Sequence, residues 1–298
     1  MRVLVSGASG LIGSALAAAL KARGDQVVGL GRGVDAQIRW DPVAGRLNEA
    51  ALEGMDAVVH LAGENIAGGR WSAARKERIR SSRVEGTRLL CAALARLEQP
   101  PQVLACASGI GYYGDRGAEE LKEDSAAGKG FLAEVCGAWE GAAEPARTRG
   151  IRVAHLRFGM VLSSGGGALA RMLLPFRMGV GGRIGSGQQW MSWICLDDAV
   201  RAICHVLEQA ALRGPINLTS PHPCTNTEFA RALGKALRRP AIFPLPAWAA
   251  RVALGEMAEG LLLSGCRVAP ARLLESGFQF AYPELAGALR YLLKKEEP

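Results

Sequence analysis

The chain has 298 residues, of which 49% are hydrophobic and 21% charged, with a formal net charge of +8. This is the make-up of an ordinary soluble globular chain, long enough for one large domain or a domain with a smaller lobe. No apolar run reaches the ~18 residues that a membrane span needs, so a transmembrane protein is excluded and no membrane partner is expected.

The excess of positive charge calls for anionic partners. A nucleic acid is set aside, because no nucleic-acid module is recognisable and only 6% of the residues are aromatic. Much of the charge lies between Arg70 and Arg88, interleaved with Glu77 and Glu85 on an expected helix. That pattern is a solvated helix face, and a phosphate-bearing cofactor would account for the remainder. Seven cysteines (91, 106, 136, 195, 204, 224 and 266) are odd in number and form no C-x-x-C pair. Reduced thiols in a cytoplasmic protein are expected.

Arg2 to Ser6 is a short apolar run rich in valine, which reads as a buried strand. Gly7-Ala8-Ser9-Gly10-Leu11-Ile12-Gly13 follows at once, and then an Ala/Leu-rich helix to Arg23. A glycine motif between a strand and a helix carries a mechanism. Gly7 permits the tight turn, Gly10 lets backbone N–H groups approach a pyrophosphate, and Gly13 lets helix and strand pack closely. Arg2 and the small residues Ala17-Ala18-Ala19 superficially resemble an export signal. The three glycines and Ser9 interrupt the apolar region, so export is not expected.

Gln26 to Leu30 is the second strand, ending in Gly31 and Arg32. In dinucleotide sites an acidic residue here bonds the ribose of NAD, whereas an arginine accommodates the 2′-phosphate of NADP. The acid is missing, so Arg32 favours NADP(H); the alternative is an ordinary loop arginine. Ile38 to Asp41 is a short strand or edge segment. Asp56 to Leu61 is a clearer strand, followed by Ala62-Gly63-Glu64-Asn65, small residues that allow a cofactor close. His60 within it is a core residue with no assigned role.

Trp71 to Glu98 forms one or two helices, and Gln102 to Ala107 the next strand, followed by Ser108-Gly109-Ile110-Gly111-Tyr112-Tyr113-Gly114. Asp115 to Lys129 is a loop, Phe131 to Arg149 is helical, and Ile151 to Phe158 is a strand leading to Val161. This alternation predicts an α/β fold with a parallel, doubly wound sheet.

The character changes at Ser163. Gly165-Gly166-Gly167 precedes a helix over 168–178, and the glycines from 179 to 187 with Trp190 and Trp193 suggest the wall of a pocket. Asp197-Asp198 should cap a helix through Gln209. Ile216 to Leu218 is a strand, and a helix over 227–237 is capped by Thr225 or Asn226. Residues 247–295 are mostly helical, with breaks at Pro270, Gly277 and Pro283, and the tail 294–298 should fray. The expected division is a cofactor-binding domain over 1–162, with a returning segment at about 195–220, and a substrate lobe over 163–298 that includes a helical segment at about 247–296.

The spacing Gly7-x-x-Gly10-x-x-Gly13 resembles that of the extended short-chain dehydrogenase/reductases. The chain is similar over almost its whole length to their atypical "epimerase family" branch. The motifs that carry this are Gly7–Gly13, Leu61–Ile66, Gly111–Gly114, Leu162–Gly167, Gly185–Ile194 and Pro270–Phe278. The resemblance implies a Rossmann domain with a smaller C-terminal substrate lobe and an NADP(H) cofactor. It implies cofactor contacts at Gly7, Ser9, Gly10, Leu11, Ile12, Gly13, Gly31, Arg32, Leu61, Ala62, Gly63 and Val161. Arg83 stands where the family carries an Asn, and could reach a phosphate.

The family's usual Tyr-x-x-x-Lys pair, which moves the proton and holds the nicotinamide ribose, is replaced by Leu132 and Cys136. Ser108 remains a candidate substrate contact, and Tyr112 or Tyr113 a candidate proton donor; each also reads as pocket packing. Cys195, where relatives show His, reads as structural. No zinc-protease, clustered Cys/His or nucleophile-elbow motif is present, so no metal is expected. Two functions stay open. One is an oxidoreductase or epimerase-like enzyme on a small carbonyl/hydroxy or sugar-nucleotide substrate, possible as a homodimer. The other is an NADP(H)-binding sensor or scaffold.

Overall fold

Alternate residues of the first strand leave for different layers, and this builds the domain. In a computed structural model that describes residues 1–34 and 36–294, β1 (Arg2–Ser6) sends Val3 and Val5 to one face and Leu4 to the other. The same period of two recurs in β5 (Ala57–His60) and β6 (Val103–Gly109), where Ala57, Val59, Val103 and Ala105 join Val3, and Val58, Leu104 and Cys106 join Leu4.

The remaining strands of this sheet are β2 (Gln26–Gly31), β3 (Ile38–Asp41), β4 (Arg46–Leu47), β7 (Arg152–Phe158) and β10 (Gly214–Leu218). Their order is β10-β7-β6-β5-β1-β2-β3-β4, parallel throughout except for β3 against β4. The order reverses at β1, between β2 and β5, which is where a doubly wound sheet opens a ligand crevice. One face is covered by α1 (Leu11–Ala22) and α6 (Leu196–Glu208). The other is covered by α2 (Ala73–Arg96), α3 (Phe131–Gly141) and α4 (Glu144–Thr148). The expected segment 71–98 is a single helix, started by Ser72, whose Oγ accepts from Arg75 N. The expected helix over 131–149 breaks at Ala142-Ala143, after Gly141 and before Pro145, which opens α4.

The smaller lobe packs α5 (Gly167–Arg177), α7 (Asn226–Leu237) and α10 (Leu285–Lys294) around Trp193 and Phe229. Thr225 is the cap of α7, in a reciprocal box with Glu228. Asn226 instead uses its side chain to accept from Ile184 N. Two short strands, β8 (Met160–Leu162) and β9 (Trp193–Cys195), join the lobes.

Two expectations require correction. Cys195, not Asp197 or Asp198, holds the cap position of α6. Asp198 is buried in the first turn and accepts from Ala281 N and Tyr282 N, at 2.9 and 2.8 Å. It ties the C-terminal segment to the main domain. The 115–129 loop is not wholly irregular: Glu120–Leu121 pairs with Arg267–Val268 of the C-terminal segment. That segment continues as α8 (Ala247–Leu254), a short turn to Leu263 and α9 (Ala271–Glu275). Of the expected fraying tail, residues 295–298 lie outside the described residues. Among the described residues, no helix is long and apolar enough to cross a membrane.

Candidate active site

The loop after β1 is shaped by contacts that no side chain could share. Gly7 has φ +70°, and a Cβ there would lie 3.0 Å from Ala62 N and Leu61 C. A Cβ on Gly13 would fall 2.1 Å from the Gly7 carbonyl oxygen. Gly10 occupies the cap position of α1 without a capping side chain, and no acid lies in the first turn. Free N–H donors and the positive end of the helix dipole therefore face outward beside exposed Ser9 and Gly10, an arrangement suited to phosphate. Leu11 reaches across to the smaller lobe, where a Cβ on Gly166 or Gly167 would meet it at 3.2 or 3.3 Å. Val161 lies by the same contact, its carbonyl 3.7 Å from the Gly167 position. At the end of β2, Gly31 is followed by Arg32, which is exposed and has no hydrogen-bonding or ionic partner among the described residues.

A buried polar chain braces this loop from below. Ser6 Oγ accepts from Leu61 N and Ala62 N at 3.1 and 3.2 Å, and lies 2.6 Å from His60 Nδ1. With two N–H groups already pointing at Oγ, the Ser6 proton belongs on the Nδ1 contact, which leaves the His60 proton on Nε2. Nε2–H then donates to Thr87 Oγ1 at 3.1 Å, which also accepts from Trp139 Nε1–H at 2.8 Å. Burial pushes the His60 pKa down to about 4. The unfolded imidazole, with its ordinary value of 6.5, binds its proton first as pH falls. Stability is thus present above about 6.5 and drains away towards 4, by on the order of 3 kcal/mol in full. Urea unfolding of wild type and His60→Gln at pH 7 and pH 5 checks this: the variant should lose less between the two pH values.

At the ends of β6 and β7 an ion pair lies almost out of solvent. Arg157, 3% exposed, grips Glu140 of α3 with Nε to Oε1 and Nη2 to Oε2, both at 2.8 Å. Ser108 Oγ donates to the same Glu140 Oε1 at 2.8 Å. Arg157 Nη1 donates to the Tyr113 hydroxyl at 2.9 Å, and that hydroxyl donates to Asn217 Oδ1 at 2.7 Å.

These bonds revise the expected catalytic set. Tyr113 is fully buried, its proton is committed to Asn217, and burial pushes its pKa up to about 12; it is withdrawn as proton donor. Ser108 is buried with its proton on Glu140 and retains only acceptor capacity. Tyr112 differs. Its ring is half-buried, the Arg157 guanidinium stacks 3.5 Å from the ring centroid, and its hydroxyl has no partner among the described residues. Arg83 Nη1 donates to the carbonyls of Glu64 and Ile79, at 3.0 and 3.1 Å, and its guanidinium lies beside Gly63 rather than at the Gly7–Gly13 loop among the described residues.

Leu132 packs onto Gly111, and Cys136 lies against Gly109. Burial pushes the Cys136 pKa up to about 11, so the thiol stays neutral and supplies no cation. Cys195 is likewise buried and pushed up to about 11. Around Leu132 an apolar seam of Ile66, Trp71, Phe131, Met257 and Leu261 joins the main domain to the C-terminal segment. Among the described residues, no three His, Cys, Asp or Glu side chains are placed to hold a metal.

The model of the NAD-dependent epimerase/dehydratase family matches residues 3–218. The chain belongs to that family. With it come a nicotinamide-dinucleotide site and oxidoreductase- or epimerase-like character. Residues 245–292 match a second family, a domain of unknown function, DUF1731. Epimerase family protein Mb2239 of Mycobacterium bovis is 46% identical over 292 residues, covering 97% of this chain and 96% of its own. A crystal structure of human epimerase family protein SDR39U1 (isoform 2) with NADPH is 38% identical, with a TM-score of 0.91 and 99% of both chains covered. The nucleoside-diphosphate sugar epimerase of Corynebacterium glutamicum is 35% identical with a TM-score of 0.81, covering all of this chain and 59% of that one.

Proposed function

We propose that this chain uses NADP(H) to reduce or oxidise a small carbonyl or hydroxy substrate, or to epimerise a sugar nucleotide, without the usual Tyr-x-x-x-Lys pair. The observation that carries the reading is the loop at Gly7–Gly13, crowded to the backbone and left uncapped, with Arg32 exposed and free at the end of the next strand. These residues fit a dinucleotide that bears a 2′-phosphate. A relative of 38% identity with NADPH supports the same choice.

In this reading the cofactor-binding domain is 1–162 with the returning segment at about 195–220, and 163–298 is the substrate lobe. The first-turn N–H groups of α1 and Ser9 hold the diphosphate, Arg32 the 2′-phosphate, and Leu11, Ile12, Gly31, Leu61, Ala62, Gly63 and Val161 the flanking surfaces. When bound, NADP(H) supplies or accepts the hydride. Tyr112 supplies the proton to the substrate oxygen, and the Ser108–Glu140–Arg157 network fixes the Tyr112 ring. The apolar seam at Leu132 and Trp71 keeps water from the reacting face. We place the protein in the cytoplasm, where seven buried, unpaired thiols are stable. Exposed Ile242, Phe243, Trp248 and Val252 on the smaller lobe support a homodimer.

The test is cofactor choice. Arg32→Ala should weaken NADPH about tenfold to a hundredfold and leave NADH within about twofold, because a charge-assisted bond to phosphate is lost. Equal losses would remove Arg32 from the 2′-phosphate. The alternative, an NADP(H) sensor or scaffold, draws on the commitment of Ser108 and Tyr113 to structural bonds. It predicts NADPH binding with no turnover.

A further inference from the structure

The smaller lobe carries a cleft built from residues that the site above does not use. Its volume is about 440 Å³, the size that suits a small organic ligand. One wall is α7, which presents Thr227 and Arg231; the other is Arg183 with the segment that runs from Arg239 to Pro244.

Backbone contacts hold these walls in place. Phe243 N donates to the Gly181 carbonyl and Leu245 N to the Arg183 carbonyl, at 3.2 and 2.8 Å. At the end of α7, Arg238 adopts a left-handed conformation with φ 54°, and Arg239 N donates to the Gly234 carbonyl at 2.9 Å. A residue with a Cβ pays a steric cost in that conformation, and the turn brings Arg239 back to the cleft that Arg231 lines. A Cβ on Gly187 would fall 2.1 Å from Thr227 Oγ1 and 3.1 Å from Arg183 Cδ. Arg183 therefore lies against α7 only because the backbone between them is bare.

Three guanidinium groups thus share one cleft, and no carboxylate is among the described residues that line it. Two of them are anchored by neutral groups: Arg183 Nη1 donates to the carbonyls of Gly185 and Ser186, at 3.3 and 2.6 Å, and Arg239 Nε to the Arg177 carbonyl at 3.1 Å. Arg183 Nη2 and both Nη groups of Arg239 have no hydrogen-bonding partner among the described residues, and Arg231 has no hydrogen-bonding or ionic partner there at all. Glu228, one turn before Arg231, is committed to Thr225 N and Oγ1. The rest of the lining is apolar, with Ile242 and Pro244 opposite the helix. A concavity lined by one sign of charge concentrates the opposite sign. The planar fork of each free guanidinium matches phosphate oxygens.

We propose that this cleft is a second ligand site, for a small organic phosphate. The free N–H groups of Arg183, Arg231 and Arg239 hold its phosphate oxygens, and its organic part lies against Ile242 and Pro244. The site is separate from the cofactor's: its residues are neither in the Gly7–Gly13 loop nor beside Arg32 or Tyr112. It therefore stands whether or not the NADP(H) reading does.

The test is calorimetric titration of the full chain with inorganic pyrophosphate, with NADPH present in excess so that the glycine loop does not take up the probe. Wild type should bind pyrophosphate. Arg231→Gln should weaken it about tenfold, the loss expected when one hydrogen bond to a charged group goes, and Arg231→Gln with Arg239→Gln should weaken it further. Arg32→Ala, at the other site, should change it by less than about twofold. Citrate, a multiply charged anion without phosphate, is the control and should bind more weakly. No binding by wild type at millimolar pyrophosphate would overturn the proposal. Binding undiminished in the double variant would place the probe elsewhere and overturn it as well, and citrate binding as tight as pyrophosphate would overturn the choice of phosphate. Arg231 is exposed on α7, so if circular dichroism shows the double variant unfolded, Arg231→Gln alone decides by the same loss.

Discussion

Arg157→Met is expected to cost about 3–5 kcal/mol of stability, the loss that follows when one partner of a buried ion pair is removed. Arg157 is 3% exposed and holds both oxygens of Glu140. Its removal strands a carboxylate whose remaining hydrogen-bonding side chain is Ser108. It also removes a donor to the buried Tyr113 hydroxyl and the cation stacked on Tyr112. The penalty comes chiefly from the orphaned charge, so adding Glu140→Leu to Arg157→Met should recover part of it. Urea unfolding of the two single variants and the double variant measures the coupling. A loss below about 1 kcal/mol in Arg157→Met would put the pair in the class of exposed salt bridges, against its geometry.

The cofactor half of the site is written locally, which is why it can be read from the chain. Gly7, Gly10 and Gly13 lie within two turns of backbone, and the contact that excludes a side chain at Gly13 is with Gly7 itself. Arg32 follows its strand directly. The candidate catalytic half is assembled from distant segments. Ser108 meets Glu140 across 32 residues, Arg157 meets Tyr113 across 44, and Tyr113 meets Asn217 across 104. Tyr112 and Tyr113 are adjacent on one 3-10 turn, yet one is half-buried and the other fully enclosed. Nothing in the order Tyr-Tyr says which ring turns inward.

A signal for the ion pair was nevertheless present. Arg157 interrupts the apolar strand Val153-Ala154-His155-Leu156-Arg157-Phe158, and a charge in a buried strand requires a partner. The approach of Gly166 and Gly167 to Leu11, and the hold of Asp198 on Ala281 and Tyr282, left no such local mark.

Tyr112→Phe carries the largest expected effect on chemistry. Ser108 and Tyr113 have their protons committed, Leu132 has none to give, and the Cys136 thiol is buried with a raised pKa. Tyr112 is therefore the proton-bearing side chain of the candidate set that remains uncommitted. A general acid contributes about 10²–10⁴-fold to the rate. Loss of the hydroxyl should lower kcat by that factor while NADPH affinity stays within about twofold, because the ring and its stacking on Arg157 persist. A role in packing alone would leave kcat near its wild-type value.

The most direct measurement is NADPH oxidation by the wild-type protein and Tyr112→Phe, followed against a panel of aldehydes, ketones and keto-sugar nucleotides after NADPH binding has been confirmed for both. The account predicts carbonyl-dependent oxidation by the wild type and a drop of about a hundredfold or more in Tyr112→Phe, with binding retained. Carbonyl-dependent oxidation that survives undiminished in Tyr112→Phe would contradict it.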